Sequence, residues 1–137
     1  MNHITASQFA KSFASLILGG RVMPKKQISQ HILFFSATLA LQPDREYAEK
    51  ELNEILGAWS SQFGGNFNLD HVTLRRYLVD TGYLTRDASG SSYRLGDGDP
   101  LTSFDDAIRE IDLVVLVREA KANRERRKRQ YSSGSQD

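Results

Sequence analysis

LDHVTLRRYLVDTGYLTRD, residues 69–87, decides how this chain reads. Leu74 and Leu78 stand four apart, the spacing that puts two apolar side chains on one helical face. Asn68 or Asp70 offers an oxygen to the unpaired N–H groups at the start of that helix. The helix is expected to run to about Asp80, with Gly82 placed to end it. Then the period changes. Tyr83–Arg86 and Ser92–Leu95 are short runs rich in strand formers, and the turn-forming Asp87-Ala88-Ser89-Gly90 joins them, so a hairpin is expected.

Working upstream, Phe9, Phe13, Leu16 and Ile17 make one stripe of a helix over residues 5–18, stopped by Gly19 and Gly20. Ile28, Ile32, Phe35 and Leu39 keep the helical period to about Leu41, before the turn Gln42-Pro43-Asp44. Glu46 to Trp59 reads as a third helix with Tyr47, Leu52, Ile55, Leu56 and Trp59 on one side, and Gly64-Gly65 as the break after it. Downstream, Gly96 to Pro100 is a loop. A last helix is expected from Thr102 or Ser103, with Asp105, Asp106 and Glu110 near its positive end and Phe104, Ile108, Ile111 and Val115 as its stripe. From about Ala122 the apolar residues vanish, and Ser132 to Asp137 reads as disordered.

Three helices followed by a hairpin is the order of a winged helix-turn-helix, in which the helix before the hairpin can enter a major groove. The expected fold class is α+β, with a winged-helix-like core over residues 20–96. An N-terminal helix (1–19), a C-terminal helix (102–121) and a basic tail expected to be disordered (122–137) are added to it.

Composition sets the outer limits. A chain of 137 residues suits one domain with a moderate core. It holds no cysteine, which excludes disulfides and thiolate zinc sites and fits a reducing cytoplasm. The longest apolar run, Leu113 to Val117, is far shorter than the roughly 20 residues a membrane helix needs. The apolar patch Leu16-Ile17-Leu18 lacks the basic flank and cleavage site of a signal sequence.

The net charge of +1 hides an uneven split. Arg118, Lys121, Arg124, Arg126, Arg127, Lys128 and Arg129 face only Glu119 and Glu125 within their segment, giving it +5. The remaining eleven basic and fifteen acidic residues leave the body at −4. A mildly acidic body with a basic arm is a pattern of nucleic-acid partners.

Three blocks of residues carry a family resemblance. They are Gly20-Arg21-Val22-Met23-Pro24-Lys25-Lys26, then Arg45-Glu46-Tyr47-Ala48-Glu49-Lys50-Glu51-Leu52-Asn53-Glu54-Ile55-Leu56, and finally Asp70 with Leu74 to Arg86 and Gly90 to Arg94. The string from Gly20 to Leu95 resembles a small bacterial domain of unknown function that occurs alone or fused behind ArsR-type helix-turn-helix regulators. The resemblance implies a winged-helix-like domain in transcription-related bacterial proteins, with no established chemistry.

The candidate contacts follow. Arg75, Arg76 and Tyr77 sit together on the helix before the hairpin. The two arginines suit phosphates or guanine, or else pair with acids, Arg76 with Asp80 and Arg75 with Glu51 or Glu54. Arg86 and Arg94 flank the hairpin turn, where a wing can touch a backbone and where polar residues are also ordinary. The arm, Arg118 to Arg129, adds salt-sensitive affinity for a polyanion or serves as a solubilising tail. Catalysis is not expected: His3, His31 and His71 lie apart in sequence with no His-Glu-x-x-His pattern. Nor does Asp97-Gly98-Asp99 have the downstream ligands of a calcium loop. No cofactor or metal is expected, and the terminal helices offer a route to a homodimer. The expectation is a non-enzymatic nucleic-acid-binding protein, DNA or RNA, linked to transcription; the alternative is a protein-interaction module.

Overall fold

Leu74 and Leu78 are fully buried, and the chain wraps around them in a mixed helix-and-sheet arrangement. A computed structural model describes residues 2–134, with side chains through Tyr131. Its elements are β1 (Asn2–Ile4), α1 (Ala6–Gly19), α2 (Gln27–Ala37), β2 (Tyr47–Ala48), α3 (Glu49–Trp59), α4 (His71–Asp80), β3 (Leu84–Arg86), β4 (Ser92–Leu95), β5 (Thr102–Phe104) and α5 (Leu113–Gly134). A π-helical turn (Ser60–Gly64) and a 3-10 turn (Gly65–Phe67) link α3 to α4, and a second 3-10 turn (Asp106–Glu110) precedes α5.

The decisive stretch folds for local reasons. The Asp70 carboxylate accepts the Thr73 N–H at 2.7 Å, satisfying a donor that has no partner inside α4. At the other end Gly82, at φ +85°, turns the chain out of the helix in a conformation costly for a residue with a Cβ. β3 and β4 then pair antiparallel, with Leu84 opposite Leu95 and Arg86 opposite Tyr93. Asp87 ties their turn by accepting the Ser91 and Ser92 N–H groups at 2.9 and 3.2 Å. β2 joins the outer edge of β4, with Tyr47 opposite Tyr93, so the sheet order is β2-β4-β3.

The aromatic side chains close the core. Phe9 stacks on Phe13 at 5.7 Å, Phe13 meets Phe63 edge-on, and Phe35 lies face to face with Phe104 at 3.9 Å. Trp59 donates its indole N–H to Ser36 Oγ at 3.0 Å, which satisfies a buried donor.

Four expectations need correcting. α2 stops at Ala37 rather than near Leu41, because Thr38 turns its hydroxyl back onto the Phe35 carbonyl at 2.7 Å. Leu41 still reaches the core from the following turn. α3 starts at Glu49, since Tyr47 and Ala48 are spent on strand pairing with Tyr93 and Ser92. Gly64-Gly65 does not break the chain's winding. The π and 3-10 turns carry it on to Asn68, which ends it at φ +54°. Gly64 is there for close approach: a Cβ would stand 2.7 Å from the Leu69 carbonyl oxygen.

The fourth correction is the largest. No helix begins at Thr102 or Ser103. Thr102–Phe104 is β5, paired parallel to β1 with His3 opposite Ser103. The Asp105 and Asp106 region is a 3-10 turn, and the last helix begins at Leu113. That helix then runs to Gly134, so the basic stretch from residue 122 is helical where disorder was expected. The final part of that expectation, residues 135–137, lies outside the described residues.

Candidate nucleic-acid interface

α4 presents two neighbouring arginines whose surroundings differ completely. Arg75 points at α3. Its Nη1 donates to Asn53 Oδ1 at 2.5 Å and lies 3.2 Å from Glu49 Oε1, and its guanidinium sits 5.8 Å from the centre of the Tyr93 ring. Arg76 is exposed and, among the described residues, joins no ion pair, not even with Asp80 one turn on. Tyr77 stacks on the buried Phe34 at 5.2 Å while its own surface stays open to solvent.

The hairpin arginines do not act together. Cross-strand register pairs Arg94 with Thr85 and Arg86 with Tyr93, so Arg86 and Arg94 leave opposite faces of the sheet. Arg94 reaches Glu46 at 2.9 Å. Arg86 is exposed without an ion pair among the described residues. Glu46, Glu49 and Glu51 are thus matched one for one by Arg94, Arg75 and Arg45. This neutralises most of the acidic run before and within α3.

The arm is a different surface. α5 has 22 residues, about 33 Å of helix at the usual rise. Its first turns are apolar: Leu113, Leu116 and Val117 pack partly buried against the core. From Lys121 to Tyr131 every residue is exposed. Among the described residues none of its seven cations joins an ion pair, and Arg126 donates only to Asn123 of its own helix. At about 100° per residue the cations point around the whole helix: Arg118 and Arg129 to one side, Arg127 to the opposite side, and Lys121, Arg124 and Lys128 between them. Arg124 and Arg127 of this helix and Lys11 of α1 rim a groove of about 320 Å³ between α1 and α5.

Two histidine clusters join residues too distant in sequence to be read as neighbours. His3 binds Ser103 Oγ through Nδ1 at 2.8 Å and Asp105 Oδ1 through Nε2 at 2.7 Å. The second Asp105 oxygen accepts the Ala6 N–H at 3.0 Å. The His3 hydrogen bond, with help from the Ala6 N–H, holds the Asp105 carboxyl below its usual range. The cluster holds the residue types of a serine nucleophile site, and its bonds also tie β1 and the first turn of α1 to the end of β5. His31 accepts or donates one bond to the Tyr83 hydroxyl at 2.9 Å and lies 3.7 Å from Asp99. Burial, with the Asp99 charge second, raises the Tyr83 phenol above its usual range and keeps it protonated. Among the described residues no group of three or more His, Asp or Glu is placed to hold a metal ion. Among the described residues no helix is long and apolar enough to cross a membrane.

Comparison with known proteins identifies a family. The model of a family described as an uncharacterized protein conserved in bacteria covers residues 21–95, more than half of the chain. That span runs from just after α1 to the end of β4, and excludes the basic arm. No curated protein and no solved structure matches.

Proposed function

The chain belongs to this uncharacterized bacterial family, DUF2087, and from that premise we propose that it is a non-enzymatic nucleic-acid-binding protein of the cytoplasm with a winged-helix core. Its helices would be α2, α3 and α4, its wing β3–β4, and its third strand β2. The β2-β4-β3 order and the placement of α4 directly before the hairpin support this reading. A link to transcription is part of the proposal, and rests on the resemblance to domains fused behind ArsR-type regulators.

One observation carries the function: seven cations on exposed positions of one helix, none of them in an ion pair among the described residues. Each cation that displaces a counterion from a phosphate backbone adds affinity that salt removes. The test is binding of the full chain and of a chain ending at Val117 to duplex DNA and to structured RNA. Loss of binding on truncation is expected. Equal binding by both chains, or none by either, would remove the arm from the mechanism.

A second reading, a dimerisation module, draws on Val114 and Val115, which are 40% and 36% exposed near the start of α5. Of the stripes first considered for it, Phe9, Phe13 and Ile108 are fully buried, Leu16, Ile17, Phe104 and Ile111 are partly buried, and Val115 alone is exposed. Light scattering separates the readings: a stable dimer that dissociates on Val114→Asp favours the module.

A further inference from the structure

We infer that the outward ridge of α4, formed by Val72, Thr73 and Arg76 beside Tyr77, reads base edges in the major groove of duplex DNA. Arg76 takes a guanine and Val72 a neighbouring thymine methyl. The inference rests on the winged-helix reading above and goes beyond it, because general affinity from the arm requires no sequence reading at all.

The ridge is defined by subtraction. Leu74 and Leu78 are buried in the core, and Arg75 is held by α3 and β4. Helical geometry puts Arg76 opposite the buried pair, with Val72 one turn before it on the same side. Val72 is 43% exposed and Tyr77 39% exposed, so the helix offers apolar surface to water on either side of a guanidinium that joins no ion pair among the described residues.

That combination matches what a base-reading helix needs. An arginine free of internal partners can give two parallel N–H bonds to guanine O6 and N7, while a small apolar side chain fits the thymine methyl. The support beneath the ridge is rigid: Asp70 caps the first turn, Tyr77 is stacked on Phe34, and Arg75 bolts the helix sideways.

Charge and size select the occupant. The first two turns of α4 expose one carboxylate, Asp70, and it is engaged by the Thr73 N–H. Glu46 and Glu49 are matched by arginines, leaving Glu54 as an acid on the α3 side without an ion pair among the described residues. An α-helix about 10–12 Å across fits the roughly 12 Å major groove of B-DNA. The deep, narrow major groove of A-form RNA does not admit it.

The experiment is selection of bound sequences from a library of random DNA duplexes by the full chain. It is repeated with Arg76→Ala, Arg76→Lys and Val72→Ala, and with a chain whose seven arm cations are replaced by Gln. Thermal unfolding checks that each variant is folded. The expected result is an enriched site containing a guanine, for which Arg76→Ala and Arg76→Lys each lose about 10- to 100-fold of the preference. Val72→Ala relaxes the adjacent position, and the Gln-substituted arm weakens selected and random duplexes alike. Duplex binding without any enriched sequence would overturn the inference and leave the arm's role intact. Full preference retained by Arg76→Lys would also overturn it, by showing a phosphate contact instead of a bidentate one. Binding of RNA alone would do the same, and binding of nothing would overturn both readings.

Discussion

Replacing Arg75 with Met should destabilise the fold, while the same change at Arg76 should not. The magnitude follows from the contacts. Asn53 accepts a charge-assisted hydrogen bond at 2.5 Å in a part-buried setting, a type worth about 1.5 kcal/mol. The Glu49 partner, 3.2 Å away, is 51% exposed, so that ion pair adds a few tenths at most, on the order of 0.3 kcal/mol. The approach of the guanidinium to the Tyr93 ring adds about 0.5 kcal/mol. Met replaces the aliphatic stem, so the expected loss is about 2 kcal/mol, or roughly 6–8 °C in Tm for a domain of this size. Arg76 touches nothing comparable, and Arg76→Met should stay within about 0.5 kcal/mol of the parent. Urea unfolding followed by the fluorescence of Trp59, the one tryptophan, reads both values. Equal losses for the two variants, or a larger loss for Arg76→Met, would refute the division of labour between adjacent residues of one helix.

Three further outcomes are expected. Asp105 has a folded-state pKa below its ordinary 3.8, so the stabilisation it gives is present above that value and is lost as pH falls through the lower folded value. Amide resonances of Asn2 to Ile4 should therefore move toward unfolded positions in acid before those of α4 do, and Asp105→Ala should show the same change near neutral pH. Ser36→Ala removes the acceptor of the buried Trp59 N–H and should cost about 1–3 kcal/mol by denaturant unfolding; a variant also carrying Trp59→Phe should lose no more than Trp59→Phe alone if that bond is the cause. Gly98 lies at φ +76°, and a Cβ there would stand 2.4 Å from the Tyr83 ring. Gly98→Ala should cost more than about 1 kcal/mol and disturb the His31–Tyr83 bond, visible as a shifted His31 ring resonance.

The stretch from residue 69 to 95 is legible because its instructions are local. Asp70, the Leu74–Leu78 spacing, Gly82 and the Asp87 turn each act on residues within a few positions. The segment from residue 102 to 111 is not legible in that way. Phe104, Ile108 and Ile111 satisfy a helical period, yet Phe104 is placed by its stack on Phe35 and by the pairing of β5 with β1. A partner strand about a hundred residues away leaves no local mark. The two-residue β2 is too short for any periodic signal. The arm was readable as charge but not as helix, since nothing apolar marks it; its Arg, Lys, Glu and Gln residues favour helix once Leu113 to Val117 has anchored the start. At the site, sequence shows which arginines exist, and only packing shows that Arg75 and Arg94 pair with carboxylates while, among the described residues, Arg76 and Arg86 join no ion pair.

The most direct measurement is the salt dependence of duplex DNA binding by the full chain, beside a full-length variant with the seven arm cations changed to Gln. If all seven meet phosphates, the slope of log K against log salt concentration should be steeper by up to about 6 for the parent, and the variant should bind far more weakly in dilute salt. Superimposable titrations, with equal slopes and equal affinities, would show that α5 stands clear of the nucleic acid.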